Sequence, residues 1–223
     1  MSKLTYLVFL LDETGSMASI KDDTIGGFNA FLDALVGDFE VTAIKWDSSK
    51  QDVVCSGAAP KDVPRLTKDT YVPGAATPLV DVFYKAIKRT EEKIAGREVQ
   101  VQIVVQTDGH ENASVEHTSD ELHALVKAKT AEGWLFTFVG AGIDAFDAAG
   151  KFGISATQTM SYDRHTSAQA FAALSRGTVA YAASGSLKDA AFTDAERAAT
   201  GGHYAAPPPK AEDKPDPLVK VDW

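Results

Sequence analysis

Three short stretches of the 223-residue chain carry oxygen-bearing side chains where loops leave regular structure. The first is Asp12-Glu13-Thr14-Gly15-Ser16, in which a carboxylate and two hydroxyls occupy alternate positions. In an extended loop every second side chain points the same way, so Asp12, Thr14 and Ser16 can face one point. The second, Gly74-Ala75-Ala76-Thr77-Pro78-Leu79, brings a threonine to the mouth of a helix, and the third, Thr107-Asp108-Gly109, supplies another carboxylate. Two carboxylates and three hydroxyls, with neither Cys nor His, suit a hard cation: Mg2+ above all, with Mn2+ or Ca2+ as alternatives. An ion held by so few protein charges stays electrophilic and keeps room for one more oxygen anion from outside.

Each stretch also has a purely structural explanation. Thr77-Pro78 reads as an N-cap followed by proline at the first helical position, Asp108-Gly109 is a common turn, and Ser16 is able to cap a helix. The neighbours Glu13, His110, Glu111 and Asn112 are open between supporting groups, ligand contacts and neither.

The elements that must position these residues follow from periodicity. The nearly unbroken apolar run Leu4 to Leu11 predicts a central parallel strand covered on both faces. Ile25, Phe28, Leu32 and Leu35 recur at helical spacing, with Asp22 and Asp23 in the first turn and Gly37 past the end. Strands are expected over Glu40 to Trp46 and Asp52 to Cys55; their closeness predicts a hairpin and one antiparallel strand. Leu79, Val82, Phe83, Ala86 and Ile87 mark a helix ending near Gly96. Strand Val99 to Gln106, a helix opened by the capping box Thr118-x-x-Glu121, and strand Trp134 to Gly140 follow. A short helix near Asp144 to Ala149, a strand near Thr157 to Tyr162, a helix from Thr166-x-x-Gln169 to about Tyr181, and a last one opened by Thr193-x-x-Glu196 complete the body. Alternation of this kind predicts an α/β fold, in which ligands collect outside the carboxyl ends of the strands where strand order reverses.

With the strands placed, the three stretches resemble the metal-ion-dependent adhesion site of von Willebrand factor type A (vWA) domains. That site uses D-x-S-x-S, a distant Thr and the aspartate of T-D-G, in that chain order. Asp12, Thr14, Ser16, Thr77 and Asp108 match, with Thr14 in place of the usual first serine, a change that keeps the hydroxyl. The resemblance spans roughly residues 3 to 182. It implies a Rossmann-like three-layer sandwich, a six-stranded and mostly parallel sheet with one antiparallel edge strand and helices on both faces. It further implies a non-catalytic protein-binding module in which the metal accepts an Asp or Glu carboxylate of a partner, in the assembly of a protein complex.

Composition bounds the rest. With 22 Lys+Arg against 31 Asp+Glu, a formal net charge of −9 argues against a general nucleic-acid or anionic-membrane binder, because counterion release needs clustered basic residues. The single cysteine, Cys55, cannot form an internal disulfide and is expected to be a small buried hydrophobe. The apolar N-terminal run stops at Asp12-Glu13, has no small-residue cleavage site and is too short to span a bilayer, so a cytoplasmic location is expected. Five of nine prolines lie after Ala206 and none between Leu79 and Ala206. Residues 1–185 are therefore expected to form the vWA domain, 186–203 a helical extension and 204–223 a Pro-rich charged tail.

Rival readings are weaker. An aspartate-nucleophile phosphatase would need a second Asp two positions after Asp12, where the chain has Thr14. Val139-Gly140-Ala141-Gly142 lacks the third glycine and the ribose acid of a dinucleotide loop. His110, His117 and His123 have no zinc-ligand partners at the usual spacing. A structural protein acting through its C-terminal tail is the remaining alternative.

Overall fold

The computed structural model describes residues 3–201. Six strands form one sheet in the order β3-β2-β1-β4-β5-β6: β1 Thr5–Asp12, β2 Phe39–Trp46, β3 Gln51–Ala58, β4 Gln100–Thr107, β5 Leu135–Ala141 and β6 Thr159–Tyr162. All neighbouring pairs are parallel except β2 and β3. Six helices alternate with them: α1 Lys21–Ala34, α2 Leu79–Ile94, α3 Ser119–Ala131, α4 Ala145–Lys151, α5 Ser167–Ser184 and α6 Asp194–Ala199. The three-layer sandwich expected from the sequence is the one observed.

β1 lies at the centre and is buried along its whole length. Alternation divides its side chains between two cores. Tyr6, Val8 and Leu10 join the core under α2, α3 and α4, while Leu7, Phe9 and Leu11 join the one under α1 and α5. On the latter face the Phe9 ring meets Phe28 and Phe31 edge-on at 5.2 and 5.1 Å and stacks at 6.5 Å on Phe171. Truncating a ring so enclosed costs about 3–5 kcal/mol. Gly27 permits this approach of α1 to α5, because a Cβ there would lie 2.2 Å from Phe171 Cδ2.

Edge strand β3 departs from regularity. Its register on β2 shifts twice between Val41 and Ile44, and Gly57 takes φ +67°. Such bulges twist an edge away from further pairing. Cys55 lies on this edge and is half-buried, with Sγ donating to the Val41 carbonyl at 3.3 Å, so it is less enclosed than its residue type suggested.

The capping boxes at Thr118 and Thr193 form as expected. The similar pattern at Thr166 does not cap α5: its hydroxyl donates instead to the carbonyls of Asp163 and Thr200, at 2.8 and 2.5 Å. A nearby chain segment outcompeted the local cap. The Pro-rich tail expected from residue 204 lies outside the described residues.

Candidate functional site

β1 and β4 are adjacent and parallel, but the chain runs outward from β1 to β2 and β3 on one side and from β4 to β5 and β6 on the other. Strand order therefore reverses between them, and the loops leaving their carboxyl ends part to form a crevice. Asp12 ends β1, and Asp108 follows the last residue of β4. Both are buried, Asp12 completely.

The first loop turns at once into a 3-10 turn over Gly15–Ile20. Thr14 N donates to Asp12 Oδ1 at 2.7 Å, Thr14 Oγ1 and Ser16 Oγ lie 3.3 Å apart, and Ser16 Oγ donates to Asp108 Oδ1 at 2.5 Å. Ser16 thus joins the two loops and caps no helix. Thr107, not singled out as a site residue from sequence, donates its hydroxyl to Asp12 Oδ2 and accepts from Gly109 N at 3.0 Å. Both Asp12 oxygens are thereby held in place.

Thr77 arrives from the third loop. α2 begins at Leu79 with Pro78 at its N-cap position, so the structural alternative of Thr77 as helix cap is not the one observed. Loop 109–117 supplies the missing caps: Glu111 Oε2 accepts from Val80 N at 2.7 Å, and Ser114 Oγ accepts from Asp81 N at 3.1 Å. Asp81 in turn accepts from the N–H groups of Val115, Glu116 and His117. Burial pushes the Asp81 carboxyl up, but these three donors outweigh it and hold it below the usual range. Asn112 grips Thr77 from both sides, with Oδ1 accepting from Thr77 N at 2.9 Å and its own N–H donating to Thr77 O at 3.1 Å. Thr77 Oγ1 is left facing the crevice.

The convergence is measurable at Gly109. A Cβ built there would lie 3.3 Å from Thr77 Oγ1, 3.5 Å from Ser16 Oγ and 3.9 Å from Asp12 Oδ2. Oxygens from the Asp12 and Thr77 loops therefore crowd the Gly109 position on the third loop, a small space that any larger residue at 109 would invade. Together with Thr14 and Asp108, all five candidate residues meet there.

Their electrostatics are those of an anionic pocket with one partly exposed cation, Arg164, near its Asp108 side. Burial raises the Asp12 carboxyl from 3.8 to about 6 despite its bonds to Thr107 and Thr14, and proximity to Asp108 adds to the rise. Asp108 is also raised by burial, against the opposing effects of Ser16 and Arg164. A cation would relieve both groups. Among the described residues no three His, Cys, Asp or Glu side chains form a metal-binding group. The fit therefore rests on two carboxylates and three hydroxyls, a donor set matched to a hard divalent ion.

The neighbours left open by sequence now separate. Glu13, itself fully buried, points away from the crevice into an ion-pair cluster, 3.0 Å from Lys45 Nζ and 2.9 Å from the partly exposed Lys50 Nζ. It also accepts from Val72 N at 2.6 Å, and Lys45 Nζ donates to Thr70 O at 2.5 Å. The cluster ties the β2–β3 hairpin to the segment leading to Thr77. Backbone bonds from Gly15 N to Ala75 O (3.1 Å) and from Gly74 N to Glu13 O (2.8 Å) complete the tie. Tyr71 Oη donates to the Asp12 carbonyl from beneath. Glu111 and Asn112 serve as the braces described above, and His110 is exposed.

No family model and no curated protein matches the sequence. Solved structures match in fold. The vWF domain of the type V pili tip protein Mfa5 from Porphyromonas gingivalis aligns with TM-score 0.59 at 9% identity, over 80% of this chain and 96% of that one. A manganese-loaded TRAP protein from Plasmodium vivax aligns with TM-score 0.56 at 12% identity, over 76% and 72%. A von Willebrand factor type A protein from Catenulispora acidiphila gives TM-score 0.53 at 13% identity, over 80% of this chain but 43% of its own. The chain has the fold of a von Willebrand factor type A domain.

Proposed function

We propose that the chain is a metal-dependent protein-binding module whose divalent ion, Mg2+ in the first instance, is held by Asp12, Thr14, Ser16, Thr77 and Asp108. The observation that carries the reading is the meeting at Gly109 of oxygens from the Asp12 and Thr77 loops, which Ser16 joins to Asp108, with both carboxylates buried and of raised proton affinity. When bound, the ion would supply an electrophilic position for an Asp or Glu carboxylate of a partner protein. The chain's own residues do the rest. Thr107 and Thr14 N fix the Asp12 oxygens, Asn112 aims Thr77, and the Glu13 cluster holds the Thr77 loop against the Asp12 loop. The manganese-loaded TRAP neighbour supports divalent binding on this fold.

A phosphatase using Asp12 as nucleophile is disfavoured. Thr14 occupies the place of the acid that would protonate a leaving group. No helix among the described residues is long and apolar enough to cross a membrane.

The test is calorimetric titration of Mg2+ and Mn2+ into wild type and Asp12→Ala, followed by partner capture with and without EDTA. The reading requires saturable 1:1 binding that Asp12→Ala abolishes, and capture lost with EDTA. It fails if Asp12→Ala retains wild-type affinity for the metal or for a captured partner.

A further inference from the structure

One cation stands at the rim of this anionic pocket. Arg164 follows β6, and its side chain reaches back across the carboxyl edge of the sheet and is 43% exposed. It lies flat over Gly142, whose φ is +65° and where a Cβ would come 3.2 Å from Arg164 Nε and 3.6 Å from its Cγ. This glycine, unsuited to dinucleotide binding, has a use: its missing side chain gives the arginine its path. Arg164 Nη1 donates to Ser19 Oγ at 2.9 Å, on the 3-10 turn that also carries Ser16. Nη2 lies 3.4 Å from Asp108 Oδ2.

These contacts position the guanidinium without using it up. A charge-assisted N–H···O bond is ordinarily about 2.7–2.9 Å, so the contact with Asp108 is long. Of the five guanidinium N–H groups, two face Ser19 and Asp108. A fixed positive charge beside a carboxylate that would serve a cation opposes that cation, which is a poor arrangement for metal binding alone. It becomes favourable once a second anion arrives, because the planar fork matches a carboxylate.

We infer that Arg164 belongs to the partner-binding surface: its planar fork takes the incoming carboxylate, and from the same position it weakens the hold of Asp108 on the metal. The inference rests on the metal-dependent reading above. It gives the site a built-in preference for acquiring cation and carboxylate together, and it gives Arg164 two effects of opposite sign that a merely structural residue would not have.

The test uses Mn2+ alone and then acetate as a minimal carboxylate. Mn2+ affinity is measured by calorimetry, and acetate binding to the Mn2+-loaded protein by water-proton relaxation. In Arg164→Ala, loss of the nearby charge is expected to tighten Mn2+ by about 3- to 10-fold, while acetate weakens by at least about 5-fold. Arg164→Lys keeps the charge but not the fork, so its Mn2+ affinity should stay within about 2-fold of wild type while acetate weakens. The inference is overturned if Arg164→Ala binds Mn2+ no more tightly than wild type, or binds acetate equally well. Wild type that takes up no Mn2+ would instead remove the metal-dependent reading itself, and this inference with it.

Discussion

Replacing Asp12 by Asn should stabilise the metal-free protein while destroying the proposed metal site. Asp12 is fully buried, and its carboxyl titrates at about 6 in the fold against 3.8 in the unfolded chain. At about 1.4 kcal/mol per tenfold change in proton affinity, holding the ionised form at pH 7 costs about 3 kcal/mol. Below pH 4 both states carry the proton and the cost is absent. Between pH 4 and 6 the unfolded chain has released its proton while the fold retains it, so stability falls as pH rises, and above 6 the full cost applies. Asn has no such dependence. It keeps an acceptor for Thr14 N but must rearrange its contact with Thr107, at about 1 kcal/mol. The net gain expected is about 1–3 kcal/mol at pH 7 in EDTA, shrinking toward zero or below at pH 4.5. Urea denaturation of both proteins across this range isolates the Asp12 contribution as a difference. Saturating Mg2+ at about 100 times its Kd should then raise wild type by about 2.7 kcal/mol and leave the variant unmoved. An Asn variant less stable than wild type at pH 7 in EDTA, or a stability difference that does not grow with pH, would show that burial of ionised Asp12 carries no such cost.

Three further outcomes follow from the same geometry. Glu13→Gln removes the buried anion of the cluster and leaves the buried Lys45 with only the half-exposed Asp52, so denaturant unfolding should show a loss of about 2–4 kcal/mol; a change below 1 kcal/mol would mean the cluster braces nothing. Ala75 adopts φ +54° in the loop that meets Gly15, so Ala75→Gly should relieve left-handed strain and raise stability by about 0.5–1 kcal/mol, with a loss counting against the strained geometry. Gly27→Ala would favour helix α1 by propensity, but the clash with Phe171 should dominate and lower stability by about 1–3 kcal/mol; a higher melting temperature would contradict the described packing of α1 on α5.

The central elements were legible because their signals are local. The unbroken apolar run of β1, the short hairpin after Trp46 and the capping boxes at Thr118 and Thr193 all concern residues close in sequence. The five candidate site residues were legible for a related reason: each lies at or just after the end of a strand or just before a helix, where an α/β sheet gathers its loops. What escaped depends on distant partners. The α2 cap comes from Glu111, 31 residues beyond Val80, and the role of Glu13 depends on Lys45, 32 residues away. Thr166 carries the signature of a cap, yet the Thr200 carbonyl, 34 residues on, takes its hydroxyl. Arg164 reaches Asp108 across 56 residues, with no spacing that would have singled it out. Thr107 alone had a local signal, its place beside Asp108 at the end of β4.

Where a divalent ion binds decides whether this chain is a metal-dependent module. Crystals of the protein soaked in Mn2+ and measured at the manganese absorption edge give that answer directly. The prediction is a single strong anomalous peak in front of Gly109, within coordination distance of Thr14 Oγ1 and Ser16 Oγ and beside Asp12 and Asp108. A protein that binds Mn2+ only elsewhere, or shows no peak there at saturating metal, would contradict it.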